Sequence, residues 1–177
     1  MKTLRILASA GLLASGLAVA SGTLGAAGAA VAVKNCAPAH LKVSVGVAQG
    51  TAGTIYYPIL FTNTGPTCAL WGVPKVQPVV GGTSHSRVKV GPPARNVSIG
   101  QMPVRRVVKT GHAVSDAYGV SESGNYTPSA CLPKNANAIV VSMGTFVNQV
   151  YVPLKISVCT KLASTTTRLI VLGTTGA

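Results

Sequence analysis

From Leu41 to Val47 the chain sets apolar residues at odd positions (Leu41, Val43, Val45, Val47) against Lys42, Ser44 and Gly46 at even ones. That period of two predicts a half-buried strand over 41–47. Gly50 and Gly53 then supply a turn. The alternation resumes through Ile55, Tyr57, Ile59 and Phe61, so residues 41–47 and 54–63 read as a hairpin. Pro58 falls on the outward set, where its missing N–H is tolerable at an edge or a bulge.

The C-terminal half follows the same logic. Ala138–Met143 and Val150–Val158 predict two strands around a loop at 144–149. Between the hairpins, 70–73, 76–80, 87–90 and 104–109 give short strand pieces. The Ser/Gly/Asn/Pro-rich stretch 120–133 reads as loop, and Arg168–Leu172 as an edge strand. Helical periodicity is confined to the N-terminus. The pattern as a whole predicts an all-β fold, an antiparallel immunoglobulin-like β-sandwich of about seven to nine strands.

The first 32 residues read differently. Lys2 and Arg5 precede an apolar Leu/Ala/Gly run and small residues with A-x-A sites, the order of a secretory signal peptide, interrupted too often by Gly and Ser to span a bilayer well. Cleavage after Ala20 or Ala32 fits. The second leaves 145 residues, a single domain at 33–177. Cys36 follows Val33, Lys34 and Asn35, which argues against acylation there. The expected location is extracellular or associated with the cell wall, with no membrane span after cleavage.

Export changes the meaning of the four cysteines, Cys36, Cys68, Cys131 and Cys159. An even count in an oxidising compartment implies two disulfides. Cys36 lies 11 residues before Val47, and Cys68 lies 14 after Thr54, on the far sides of one hairpin. Cys131 and Cys159 flank the second hairpin in the same way. The counts favour Cys36–Cys68 and Cys131–Cys159, each loop closure stabilising by roughly 3 to 4 kcal/mol. Cys36–Cys159 with Cys68–Cys131 stays open as the rival. Trp71, the only tryptophan, reads as core packing beside a disulfide.

Some of these residues carry a family resemblance. Cys36 ahead of an L-x-V strand, the strand end FTNTG, the segment TCALWGVPKV, and later Cys131-Leu132-Pro133 and Cys159 resemble the domain-of-unknown-function family 4232. That family occurs in secreted and membrane-attached actinobacterial proteins. The resemblance covers Cys36 to Cys159 and implies the fold class and an envelope or extracellular location. It brings no catalytic residues with it. The middle, with its VRRVVK run, is the least family-like part.

The chain carries 15 basic residues against two acids. Without Lys2 and Arg5 the counts are 13 and two, a charge of +11. Such a one-signed balance predicts attraction to polyanions outside the cell. Few aromatics and no nucleic-acid motif argue against nucleic acid as the partner. Six of the 13, Arg87, Lys89, Arg95, Arg105, Arg106 and Lys109, fall within 23 positions. Arg87 and Lys89 should project from one side of a strand, opposite Val88 and Val90, as a cationic strip suited to phosphate. A solvated face is the bland alternative.

Catalysis finds little material. Glycoside hydrolysis needs two carboxylates, and Asp116 and Glu122 read as exposed acids of one loop. His112 and Asp116, four apart, read as a surface hydrogen bond rather than part of a triad. Gly119-Val120-Ser121-Glu122-Ser123 ends in Ser where the nucleophile elbow G-x-S-x-G needs Gly. For copper, His40, His85, His112, Met102 and Met143 are spaced without a ligand motif. The expectation is a non-catalytic binding or structural module of the envelope with no metal or other cofactor. Its alternatives are an extracellular protein–protein domain, meeting its partner at a sheet edge or at Tyr56, Tyr118 and Tyr126, and, less favoured, an unrecognised hydrolase or a copper protein.

Overall fold

The alternating segments form strands with the expected faces inward, except that the first ends at Val45 and leaves Val47 85% exposed. The computed structural model describes residues 32–82 and 87–176. The signal-peptide reading, up to residue 31, and His85 lie outside the described residues. Strand β1 (Leu41–Val45) is followed by β2 (Gln49–Thr51), β3 (Thr54–Asn63), β4 (Cys68–Leu70) and β5 (Lys75–Val80). Next come β6 (Val88–Lys89), β7 (Arg95–Asn96), β8 (Arg106–Val108) and β9 (Ala113–Ser121). A single helical turn, α1 (Pro128–Cys131), leads into β10 (Pro133–Met143), β11 (Val147–Cys159), β12 (Thr165–Thr167) and β13 (Val171–Leu172).

These strands make an antiparallel sandwich. One sheet runs β1-β3-β9-β12-β7, with β2 added to β3 and β13 to β9. The other runs β11-β10-β5-β6, and β4 pairs with β8 in a small ribbon. Only β12 and β7 pair in parallel among the named strands. The thirteen strands among the described residues exceed the expected seven to nine because several are two or three residues long, too short to show a period. Ile59, Phe61, Val114 and Tyr118 of the first sheet meet Val76, Ile139, Val141, Val152 and Ile156 of the second in one core.

Pro58 is accommodated by a bulge. Its carbonyl accepts Gly46 N–H at 2.8 Å, so its imino nitrogen faces the same side, where β1 ends and β2 has not begun. There Gly46, Val47 and Ala48 stand opposite Tyr57 and Pro58. Three residues against two is a bulge, and no ladder donor is lost.

The two disulfides are Cys36–Cys68 and Cys131–Cys159. The first joins the chain entering β1 to the start of β4. Cys36 N–H also donates to Ala69 O and Ala69 N–H to Lys34 O. The second closes the open end of the β10–β11 hairpin, whose strands extend beyond the expected 138–143 and 150–158.

Strand β9 departs from expectation, since the sequence predicts loop from residue 120 and a loop position for Asp116. Both of its faces are buried from Val114 to Val120. Val114, Tyr118 and Val120 face the core. Behind them Ser115 Oγ donates to Gly173 O and accepts Gly176 N–H, both at 2.8 Å. The C-terminal tail therefore covers the outer face. Small residues are required there, because a Cβ on Gly176 would lie 2.9 Å from the Ala117 backbone.

The Asn63-Thr64-Gly65-Pro66 turn is built on a buried amide. Asn63 Nδ2 donates to Pro66 O at 2.9 Å and Val108 O at 3.0 Å, and its Oδ1 accepts Gly65 N–H at 2.9 Å. Its backbone donates to His112 O and accepts Gly111 N–H. Substitution Asn63→Ala strands these groups in a dry site and should lower unfolding stability by about 2 to 4 kcal/mol. The exposed Asn137→Ala should stay within about 0.5 kcal/mol of wild type. Denaturant midpoints at unchanged m-value measure both.

Candidate functional site

The cations of residues 87–109 do not share a strand. Lys89 lies on edge strand β6 of the four-stranded sheet, Arg95 on β7 of the seven-stranded sheet, and Arg106 on β8 of the ribbon. Pro92 and Pro93 end β6 and carry the chain across to the other sheet. Arg87 and Lys89 flank Val88 as expected, but Val88 is itself 56% exposed while Val90 is buried.

The six cations also differ in employment. Arg105 donates to Asn35 Oδ1 at 3.0 Å and to Val33 O, and its guanidinium lies 4.9 Å from the Trp71 ring centroid. Trp71 meets Phe146 edge-on at 4.7 Å. It is half-buried and packs against the core, with the arginine as its lid. Arg87 lies 5.9 Å from the Tyr151 ring centroid. Arg106 is half-buried, its Nε without a partner. Lys89, Arg95 and Lys109 are exposed.

Asp116 contradicts the exposed-loop reading. It sits in the middle of β9 with no exposed surface, opposite Ile59 of β3. Its Oδ1 accepts Arg168 N–H at 2.6 Å, while Oδ2 has no partner. Burial raises its pKa from the ordinary 3.8 to about 7, against the opposing pull of that hydrogen bond and the Arg168 charge. Burial also pushes the Tyr118 phenol up. The buried Thr165 hydroxyl beside it pulls the other way. These groups are walled into the core, where no substrate reaches them.

The other chemical candidates are dispersed. Glu122 is exposed just beyond β9, about 20 Å along the strand direction from Asp116 at six residues' separation. His112 is exposed in the turn before β9, roughly 13 Å along the chain from Asp116. The expected surface hydrogen bond between them is therefore not formed. Gly119–Ser123 is the end of a strand running into a short 3-10 turn rather than an elbow. Met143 is buried and Met102 is 84% exposed. Among the described residues no three His, Cys, Asp or Glu side chains gather. Tyr118 is fully buried, leaving Tyr56 and Tyr126, both half-buried, as surface tyrosines of the expected three.

Surface clefts are open. One of about 410 Å³ lies among Asn135, Asn137, Lys155 and Ser157. Another of about 530 Å³ is lined by Thr62, Lys109, His112 and Thr174. A smaller one holds Glu122 and Tyr57. None brings a carboxylate beside a histidine.

Fold and surface together define a two-disulfide antiparallel β-sandwich with a cationic exterior. The chain belongs to the family described as "Domain of unknown function (DUF4232)", whose model matches residues 36–171. No curated protein and no solved structure matches the chain significantly. All four cysteines and the Asn63 turn fall inside the matched range. The disulfides are those of an oxidising compartment, and among the described residues no helix is long and apolar enough to cross a membrane.

Asp116 makes stability depend on pH. A carboxyl with a folded pKa of about 7 and an unfolded value near 3.8 favours folding most when neutral. Its contribution is fully present below pH about 3.8 and is lost as pH rises through about 7, a change on the order of 4 kcal/mol. Asp116→Asn should flatten the dependence between those limits. Urea midpoints at pH 4.5 and pH 8 check this, and an equal fall in variant and wild type would contradict it.

Proposed function

We propose that the protein is an exported, non-catalytic module of the cell envelope that docks on anionic surface components. The observation that carries this reading is the excess of exposed base over exposed acid. Of the 13 lysines and arginines between residues 33 and 176, eleven are exposed, two half-exposed and none buried. Among the described residues Glu122 is the only exposed acid, since Asp116 is in the core. Phosphate- or carboxylate-rich polymers meet a single repulsive carboxylate, Glu122, against eleven exposed cations on such a surface.

Three further facts support the reading. The N-terminus has the order of a secretory signal, and both disulfides suit an exported chain. The clefts hold no converging acid and base, which favours binding over catalysis. The setting that the family resemblance implies is an actinobacterial envelope. Within that cationic exterior Lys89, Arg95 and Lys109 contribute exposed charge from the 87–109 region.

Binding of residues 33–177 to isolated envelope fractions should weaken at least tenfold between about 50 and 500 mM salt, as screening requires. Substituting Lys89, Arg95 and Lys109 together by Ser should weaken it by about tenfold at low salt while leaving the unfolding midpoint unchanged. Binding indifferent to both changes would remove the proposal.

A further inference from the structure

The segment between β7 and β8 is apolar where it is most exposed. Ile99 is 81% and Met102 84% exposed, and Val104 about half, as is Val107 on β8 itself. Solvated tips of this kind normally carry polar residues, and a run of apolar ones marks an interaction site.

Hydrogen bonds hold the segment in place. Val97 N–H donates to Thr167 O at 3.0 Å, Ser98 N–H to Asn96 Oδ1 at 2.8 Å, and Leu169 N–H to Ser98 Oγ at 3.1 Å. Gln101 N–H closes a turn onto Ser98 O at 3.2 Å, with Gly100 at φ +80°. Gly100 adopts that backbone freely, where a side chain would be strained. Ile99 is thereby set at the apex of a clamped turn.

The flanks are cationic. Arg95 precedes the apex by four residues, and Arg105, Arg106 and Lys109 follow Met102 within seven. At no more than about 3.6 Å per residue, Arg95 lies within about 14 Å of Ile99 and Arg105 within about 11 Å of Met102. No acid occurs between residues 87 and 115.

We infer that this loop docks on the surface of anionic lipid bilayers, Ile99 and Met102 entering the interface while Arg95 meets lipid phosphates. The order of chemistry matches, because a bilayer presents an anionic layer first and an apolar layer beneath it. A convex apolar tip needs no complementary groove on such a partner. Two apolar side chains and a few cations give weak, reversible, salt-sensitive attachment rather than anchoring. The inference rests on the anionic-surface reading above and names the lipid as its target.

The test uses residues 33–177, which hold the compact sandwich and both disulfides. Sedimentation is measured with phosphatidylcholine vesicles, with the same vesicles carrying about one third phosphatidylglycerol, and with soluble polyphosphate as a lipid-free anion. Expected are binding to the anionic vesicles alone of the two, an at least tenfold loss in I99S/M102S, and a severalfold loss in R95S. Polyphosphate binding should be unchanged in I99S/M102S. Matching thermal midpoints show that the variants are folded. Polyphosphate binding without vesicle binding, or vesicle binding that ignores I99S/M102S, overturns the lipid inference and leaves the anionic-surface reading standing. Failure to bind either anion overturns both. Loss of an exported protein partner in I99S/M102S, with vesicle binding unaltered, also overturns it.

Discussion

Asn63 has no exposed surface, and each of its backbone and side-chain polar groups has a hydrogen-bond partner in the protein. Four segments meet on it: the end of β3, the turn to β4, the end of β8 and the approach to β9. A buried amide is costly unless fully paired, so these segments must hold a common geometry or forfeit its bonds together. The Cys36–Cys68 disulfide lies on the same turn and ties the chain ahead of β1 into it. The sandwich depends on this node because it closes the seven-stranded sheet against the β4–β8 ribbon.

From that node the surface loop follows. Strand β8 is held on one side by its ladder with β4 and at Val108 by Asn63. At the other end of the loop, Val97 and Ser98 are clamped to the segment 167–169, next to the Arg168 N–H that Asp116 accepts. The buried carboxyl of β9, the β12 strand and the apolar turn at Ile99 are therefore links of one hydrogen-bonded chain. Asp116 is a buried link of that chain. Its burial also leaves the exterior to the cations.

Much of this was legible in the sequence, and the remainder was hidden for identifiable reasons. A period of two marked β1 and β3 because one face of each is wetter than the other. Residue counts about each hairpin favoured the pairing that the disulfides adopt. Strand β9 escaped because both faces are buried, so Ser115 and Ala117 beneath the tail and Gly119 beneath Thr166 and Tyr56 stand where alternation needs larger polar residues. Asp116 then looked like a loop acid, and its only signal was its place between Val114 and Tyr118. The cationic run looked continuous because it is so in sequence. Pro92 and Pro93 break it in space, and Arg105 is spent on Trp71 and the N-terminal segment. The exposed turn at Ile99 was unreadable, since nothing in VSIGQMPV separates a solvent-facing apolar run from a core strand.

The central claim is that a rigid two-disulfide sandwich presents one clamped, apolar, cation-flanked turn to an anionic surface. Amide spectra of the labelled domain, recorded with nanodiscs of anionic and of neutral lipid, locate the contact residue by residue. The account predicts that signals from residues 95–109 broaden or shift with anionic discs alone, while β10, β11 and the cleft at Asn135 and Lys155 stay unperturbed. Perturbation centred on that cleft, or spread evenly over every exposed lysine, would contradict it.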